Sequence, residues 1–100
     1  MKYISLVLLF SSLFSSPNDP LIKASLAMRA GLYKEALFHV AKAKEIDQKN
    51  PEVYRLKAML HEALNESDNA IHAWKQCLKY SNDKLLTQEA KIHIDSLTKE

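Results

Sequence analysis

Gly31-Leu32-Tyr33-Lys34-Glu35-Ala36-Leu37 and, 34 residues further on, Asn65-Glu66-Ser67-Asp68-Asn69-Ala70-Ile71 decide how this chain is read. Each begins as a turn and runs into a helix-forming stretch. Gly31 suits the left-handed conformation that ends a helix. The same shift lays Ala24 on Ala58, Leu26 on Leu60, Ala36 on Ala70, Leu37 on Ile71, Val40 on Trp74 and Ala43 on Cys77. Small matches small and apolar matches apolar where helices have to touch. Lys23, Lys57 and Lys91 also recur at this interval. A period of this length with two helices per unit is a signature of stacked helical repeats.

Working outward, the spacing predicts helices over 21–30, 34–46, 52–64, 68–80 and 84–98. The third carries Val53, Leu56, Leu60, Ala63 and Leu64 on one stripe, and the fourth Ala70, Ile71, Trp74, Cys77 and Leu78. In the second, Leu37, Val40, Ala41 and Ile46 are expected to share a face. In the last, Leu86, Ala90, Ile94 and Leu97 do so. Pro51 fits a first helical position, and Ser67 or Asp68 is the expected cap of the fourth helix. Composition agrees. The 100 residues contain 15 Leu and 11 Ala against 11 Val, Ile and Thr together, which favours helix over sheet. One Gly and three Pro are too few for the turns of a sheet protein. The fold class expected is all-α, an antiparallel helix-hairpin stack.

These residues resemble the tetratricopeptide repeat (TPR) family. The likeness rests on residues 31–37, on Ala43 and Ile46-Asp47, on residues 51–54, and on Ala58, Ala70, Trp74 and Cys77. Ala24, Ala36, Ala58 and Ala70 let paired helices approach closely, and Val40 and Trp74 fill the space beside them. The resemblance gives a first unit over about 20–50, a second over about 51–81 and a capping helix over about 84–98. The chain departs from the family pattern at several places. Pro20 stands where unit two has Tyr54, and Lys23 and Lys57 take positions that are usually apolar. Gln48 replaces a usual proline. Ile92 stands where Ala24 and Ala58 do, too bulky for a second close-packed helix, so the last helix reads as a cap.

The resemblance implies a protein-binding groove lined by the first helix of each unit. Carried over by position, it would include Leu21, Ser25, Met28 and Arg29, then Glu52, Arg55, Met59 and Glu62, with Leu86, Glu89 and His93 from the cap. Methionines adapt to a partner, and arginines bind carboxylates through two bonds. The Lys and Asn carboxylate clamp of some family members is not expected, because Leu21, Ser25 and Leu56 hold those places. Two units and a cap are few for a continuous core. An end of the stack is therefore expected to meet a partner or a second copy as a homodimer.

Residues 1–16 run from Met1-Lys2 through apolar 3–14 to Ser15-Ser16, ahead of Pro17. That is the pattern of a secretory signal peptide, with 17–20 as a short linker and 21–100 as the helical domain. Twelve helical residues reach about 18 Å, short of the roughly 30 Å hydrocarbon core. Export to a periplasmic or secreted location is expected, with membrane attachment only if the segment is retained.

Other classes of function are disfavoured. Fourteen basic and twelve acidic residues are interspersed, giving +2 and no basic stripe, so nucleic-acid binding is not expected. Cys77 is the only cysteine, which rules out an internal disulfide and a thiolate zinc cluster. It reads as a small core residue. His39, His61, His72 and His93 are never three or four residues apart. His61-Glu62-Ala63-Leu64-Asn65 has Asn65 where a zinc-protease helix needs its second histidine. A single glycine gives no phosphate-cradling loop. No metal, cofactor or enzymatic activity is expected. The functional expectation is an adaptor that binds a protein or peptide, with a self-associating subunit of an envelope complex as the alternative.

Overall fold

The computed structural model describes residues 18–100. The expected signal segment 1–16 and Pro17 lie outside the described residues. Five helices follow in order: α1 (Pro20–Arg29), α2 (Tyr33–Ile46), α3 (Pro51–Ala63), α4 (Ser67–Tyr80) and α5 (Lys84–Thr98). Each packs on the next, and α1 also touches α3. The result is the all-α hairpin stack: α1 with α2, α3 with α4, and α5 closing on α4.

The repeat is written in the helix ends. Helices α1, α3 and α5 each begin at a side-chain cap. Asp19 accepts from the amide of Leu21 at 2.9 Å, Asn50 from that of Glu52 at 3.0 Å, and Asp83 from that of Leu85 at 3.2 Å. Each cap satisfies one amide that has no partner inside the helix. Pro20 and Pro51 hold the first helical place, where a missing N–H costs nothing.

Helices α2 and α4 start differently, straight out of the preceding helix end. Gly31 sits at φ +78°, its amide bonding to the Met28 carbonyl and that of Leu32 to the Ala27 carbonyl. Asn65 sits at φ +59°, with its amide on Glu62 and that of Glu66 on His61. These are the same Schellman closure, once with Gly and once with Asn at the left-handed position. No side chain caps α4, contrary to the expectation for Ser67 or Asp68. Ser67 is already helical, and its hydroxyl donates to Glu100 instead, at 3.0 Å.

Between the hairpin helices the alanines are sealed: Ala24, Ala36, Ala58 and Ala70 are fully buried. Trp74, Tyr54, Leu60, Val53 and Cys77 are the largest fully buried side chains. Trp74 is the biggest single contribution, and truncating such a residue to alanine costs about 3–5 kcal/mol. The stripe expected on α2 is narrower than its spacing suggested. Val40 is buried and Leu37 half-buried, but Ala41 and Ile46 are exposed. Ile46 lacks the partner its counterpart has. In unit two Tyr80 stacks on Tyr54 with ring centroids 5.4 Å apart, whereas unit one has only Pro20 at the position of Tyr54.

The first and last helices differ in exposure from the inner ones. Leu60 is fully buried because α3 lies between α2 and α4, while its counterpart Leu26 on α1 is 58% exposed. At the other end Ile92 is 66% exposed on α5, where Ala58 in unit two is covered by α4.

Candidate protein-binding face

The places expected to line the groove fall on α1, α3 and α5, the helices that start from side-chain caps. Arg55 meets the residue one period on, Glu89, and Glu62 meets His93, 31 residues on. Arg55 on α3 donates from Nε to Oε1 and Oε2 of Glu89 on α5, at 2.8 and 3.2 Å. Glu62 on α3 reaches His93 on α5, with Oε2 2.8 Å from Nδ1. These two contacts bring the exposed sides of α3 and α5 into one surface.

The same contacts change the role of four expected binding residues. Arg55 is already occupied, with Glu89 on one side and Glu52 at 3.7 Å on the other. Burial works against its charge, but the hydrogen bond and charge of Glu89 outweigh it and hold the guanidinium more firmly protonated than usual. Glu62 also accepts from Trp74 Nε1 at 2.6 Å. His93 stacks on the Trp74 ring, with centroids 4.4 Å apart. An ionised carboxylate can only accept, so His93 carries a proton on Nδ1. Glu62 is thereby the shared acceptor that ties cap helix α5 to the buried Trp74.

What remains open on this face is smaller. Ser25, Met28 and Met59 are half-buried, with both methionines packed against the core from their inner side. Arg29 at the end of α1 is exposed, and more than half of the Glu52 side chain is accessible. Leu21 packs partly into the core. From the cap, Leu86 is buried and offers nothing to a partner, while Glu89 and His93 are partly accessible but engaged. What stays available is thus Met28 and Met59, both adaptable, with the charges of Arg29 and Glu52, while Arg55, Glu62, Glu89 and His93 are paired internally.

Two of the remaining titratable candidates, His61 and Cys77, have structural surroundings. His61 Nδ1 lies 2.7 Å from Glu66 Oε1 across the α3–α4 turn. Cys77 is fully buried. Burial, reinforced by Glu52 and Glu89, pushes its thiol up to about 11. Such a thiol carries almost no thiolate at neutral pH, so it is a poor nucleophile. Among the described residues no group of three His, Cys, Asp or Glu side chains is arranged to hold a metal ion. No helix among them is long and apolar enough to cross a membrane.

Sequence reasoning missed the pairing of α3 with α5. The signal was present as opposite charges one period apart, Arg55 against Glu89, on helices of the same kind. No known family profile, curated protein or solved structure matches this chain.

Proposed function

We propose that this chain is a small TPR-like adaptor, non-enzymatic, that binds a protein or peptide along the face of α1, α3 and α5. The observation that carries the reading is the pairing of Arg55 with Glu89 and of Glu62 with His93 across α3 and α5, with Met28 on α1 and Met59 on α3 both half-buried. Helices fixed by caps and by the Arg55–Glu89 and Glu62–His93 bonds hold the contact residues in place before binding. Little ordering cost then opposes association. Arg29 supplies an exposed guanidinium for a partner carboxylate, and Glu52 a carboxylate for a partner cation. Arg55 and Glu62 serve the face by positioning α5.

The apolar run of residues 3–14 supports export as part of the same proposal. An intact mass of the native protein that lacks residues 1–16 would agree with a cleaved signal, and a full-length mass with retention and attachment.

The test is a photo-crosslinking amino acid placed at Met59 or, as control, at the exposed Phe38, in cells that express the chain naturally. One partner crosslinked from Met59, absent from Phe38 and lost with Arg29→Glu, is the expected result. Equal capture from both positions would defeat the groove. A second reading, self-association, is favoured by the exposed Leu26 at the open end of the stack. Crosslinks from position 26 to the chain itself, with none from position 59, would establish it instead.

A further inference from the structure

The two junctions of this stack are built on the same plan and filled differently. At the junction of unit two with the cap, Trp74 is fully buried and Leu78 packs against the core. One period earlier the corresponding places hold Val40 and Lys44. There the structure has a half-open cleft of about 340 Å³, lined by Leu37, Val40, Ala41, Lys44, Glu45 and Lys57 among others. Its size is at the lower end of the roughly 300–1,000 Å³ typical of small-molecule sites.

The chemistry of the lining is lopsided. Leu37, Val40 and Ala41 give an apolar wall along α2. Lys57, half-buried on α3, stands at a position where an apolar residue would complete the packing. Lys44 faces the same space, and its ammonium lies 5.9 Å from the centroid of the Tyr54 ring. Among the described residues neither lysine has a carboxylate within ion-pair distance, although Glu45 borders the cleft. Two ammonium groups beside an apolar wall complement a compact ligand with one negative and one apolar end.

We propose that the cleft between α2 and α3 binds a small carboxylate with a short aliphatic body, the carboxylate bridging Lys44 and Lys57 and the chain lying on Leu37, Val40 and Ala41. This site is separate from the α1–α3–α5 face, and none of that face's contact residues borders it. Burial and the nearby Lys44 charge both hold the Lys57 ammonium below the usual lysine range. A bound anion would relieve that cost.

The experiment uses the full chain, isotopically labelled, titrated with octanoate and followed by backbone amide shifts. Saturable shifts grouped at Leu37, Val40, Ala41, Lys44 and Lys57 are expected. Octanol should bind at least about tenfold more weakly, since it cannot make the charge-assisted bonds. Lys57→Met should cost a similar factor while leaving the helical circular dichroism and urea midpoint equal or improved. Val40→Trp, which installs the residue of unit two, should abolish binding. Should that variant fail to fold, Lys57→Met and octanol still decide. Absence of saturable shifts at millimolar octanoate would overturn the proposal. So would equal affinities for octanol and octanoate, or binding unchanged in Lys57→Met. A leucine-ending peptide that binds here through its free C-terminus where octanoate does not would also overturn the ligand, and would assign the cleft to a protein chain end.

Discussion

Replacing Glu62 tests the account of how the cap is held. Its carboxylate accepts from Trp74 Nε1 at 2.6 Å and from His93 Nδ1 at 2.8 Å. Glu62→Leu removes the oxygen that both share. Trp74 is fully buried, so its indole N–H would be stranded, at a cost of about 1–3 kcal/mol. His93 is 37% exposed and can turn to water, so its share is discounted to about 0.5 kcal/mol or less. A total loss of about 1–3.5 kcal/mol follows, a large part of the stability of a domain this small. Glu62→Gln keeps one acceptor oxygen and should lose about half as much. Urea unfolding is the assay, read by circular dichroism and by fluorescence, because Trp74 is the only tryptophan. The native emission of Glu62→Leu should also change, since the hydrogen bond to the indole is gone. A Glu62→Leu midpoint within error of the parent would refute the shared-acceptor account. So would additive losses in the Glu62→Leu, Trp74→Phe double-mutant cycle, as residues joined by a buried hydrogen bond must couple.

Two further measurements follow from the same structure. Gly31 has open space around a notional Cβ, so Gly31→Ala should lose about 1 kcal/mol through its φ of +78° alone, while Asn65→Gly at φ +59° should gain several tenths; urea melts in which Gly31→Ala loses nothing or Asn65→Gly is destabilised would overturn the paired-closure reading. The Cys77 thiol ionises at about 11 in the folded chain, against an ordinary value of 9.0. The folded state therefore holds the proton that the unfolded state releases. Its stabilising effect is full below pH 9 and is lost as pH rises toward 11, at up to about 1.4 kcal/mol per unit. Melts of Cys77→Ala should lack this component of the alkaline decline, and a disulfide reagent at neutral pH should label the native parent only as fast as it opens.

Much of this fold was legible because its determinants are local. Gly31 and Asn65 announce the two turns, the four alanines mark the close approaches, and the period links them. The capped starts of α1 and α3 are written as Asp19-Pro20 and Asn50-Pro51. The misreadings arise where a residue's fate depends on a distant partner. Ile46 has helical spacing like that of Tyr80, yet it stays exposed because Pro20 cannot do what Tyr54 does. Ser67 is a good capping residue by type, but the backbone leaving Asn65 has already begun the helix. The residues expected to line the face do fall on α1, α3 and α5. Its charges were read as available because nothing near Arg55 in sequence reveals Glu89, and nothing near Glu62 reveals His93. The cleft beside Lys57 was equally hidden: the lysine was noticed as out of place, but the space in front of it comes from Val40 being smaller than Trp74.

The bond between Arg55 and Glu89 also bears on which units the chain can repeat. In a repeat stack, inserting a copy of an internal unit ordinarily preserves every junction. Here, a duplicate of unit two would bring one arginine against another at the new junction, and only the last copy would meet the glutamate of the cap. Glu62 behaves likewise, since its histidine exists only on α5. The charge pattern thus acts as a terminator: it favours docking of α5 directly on unit two and penalises longer versions built by duplication. An arginine and a glutamate one period apart encode a length as well as a contact.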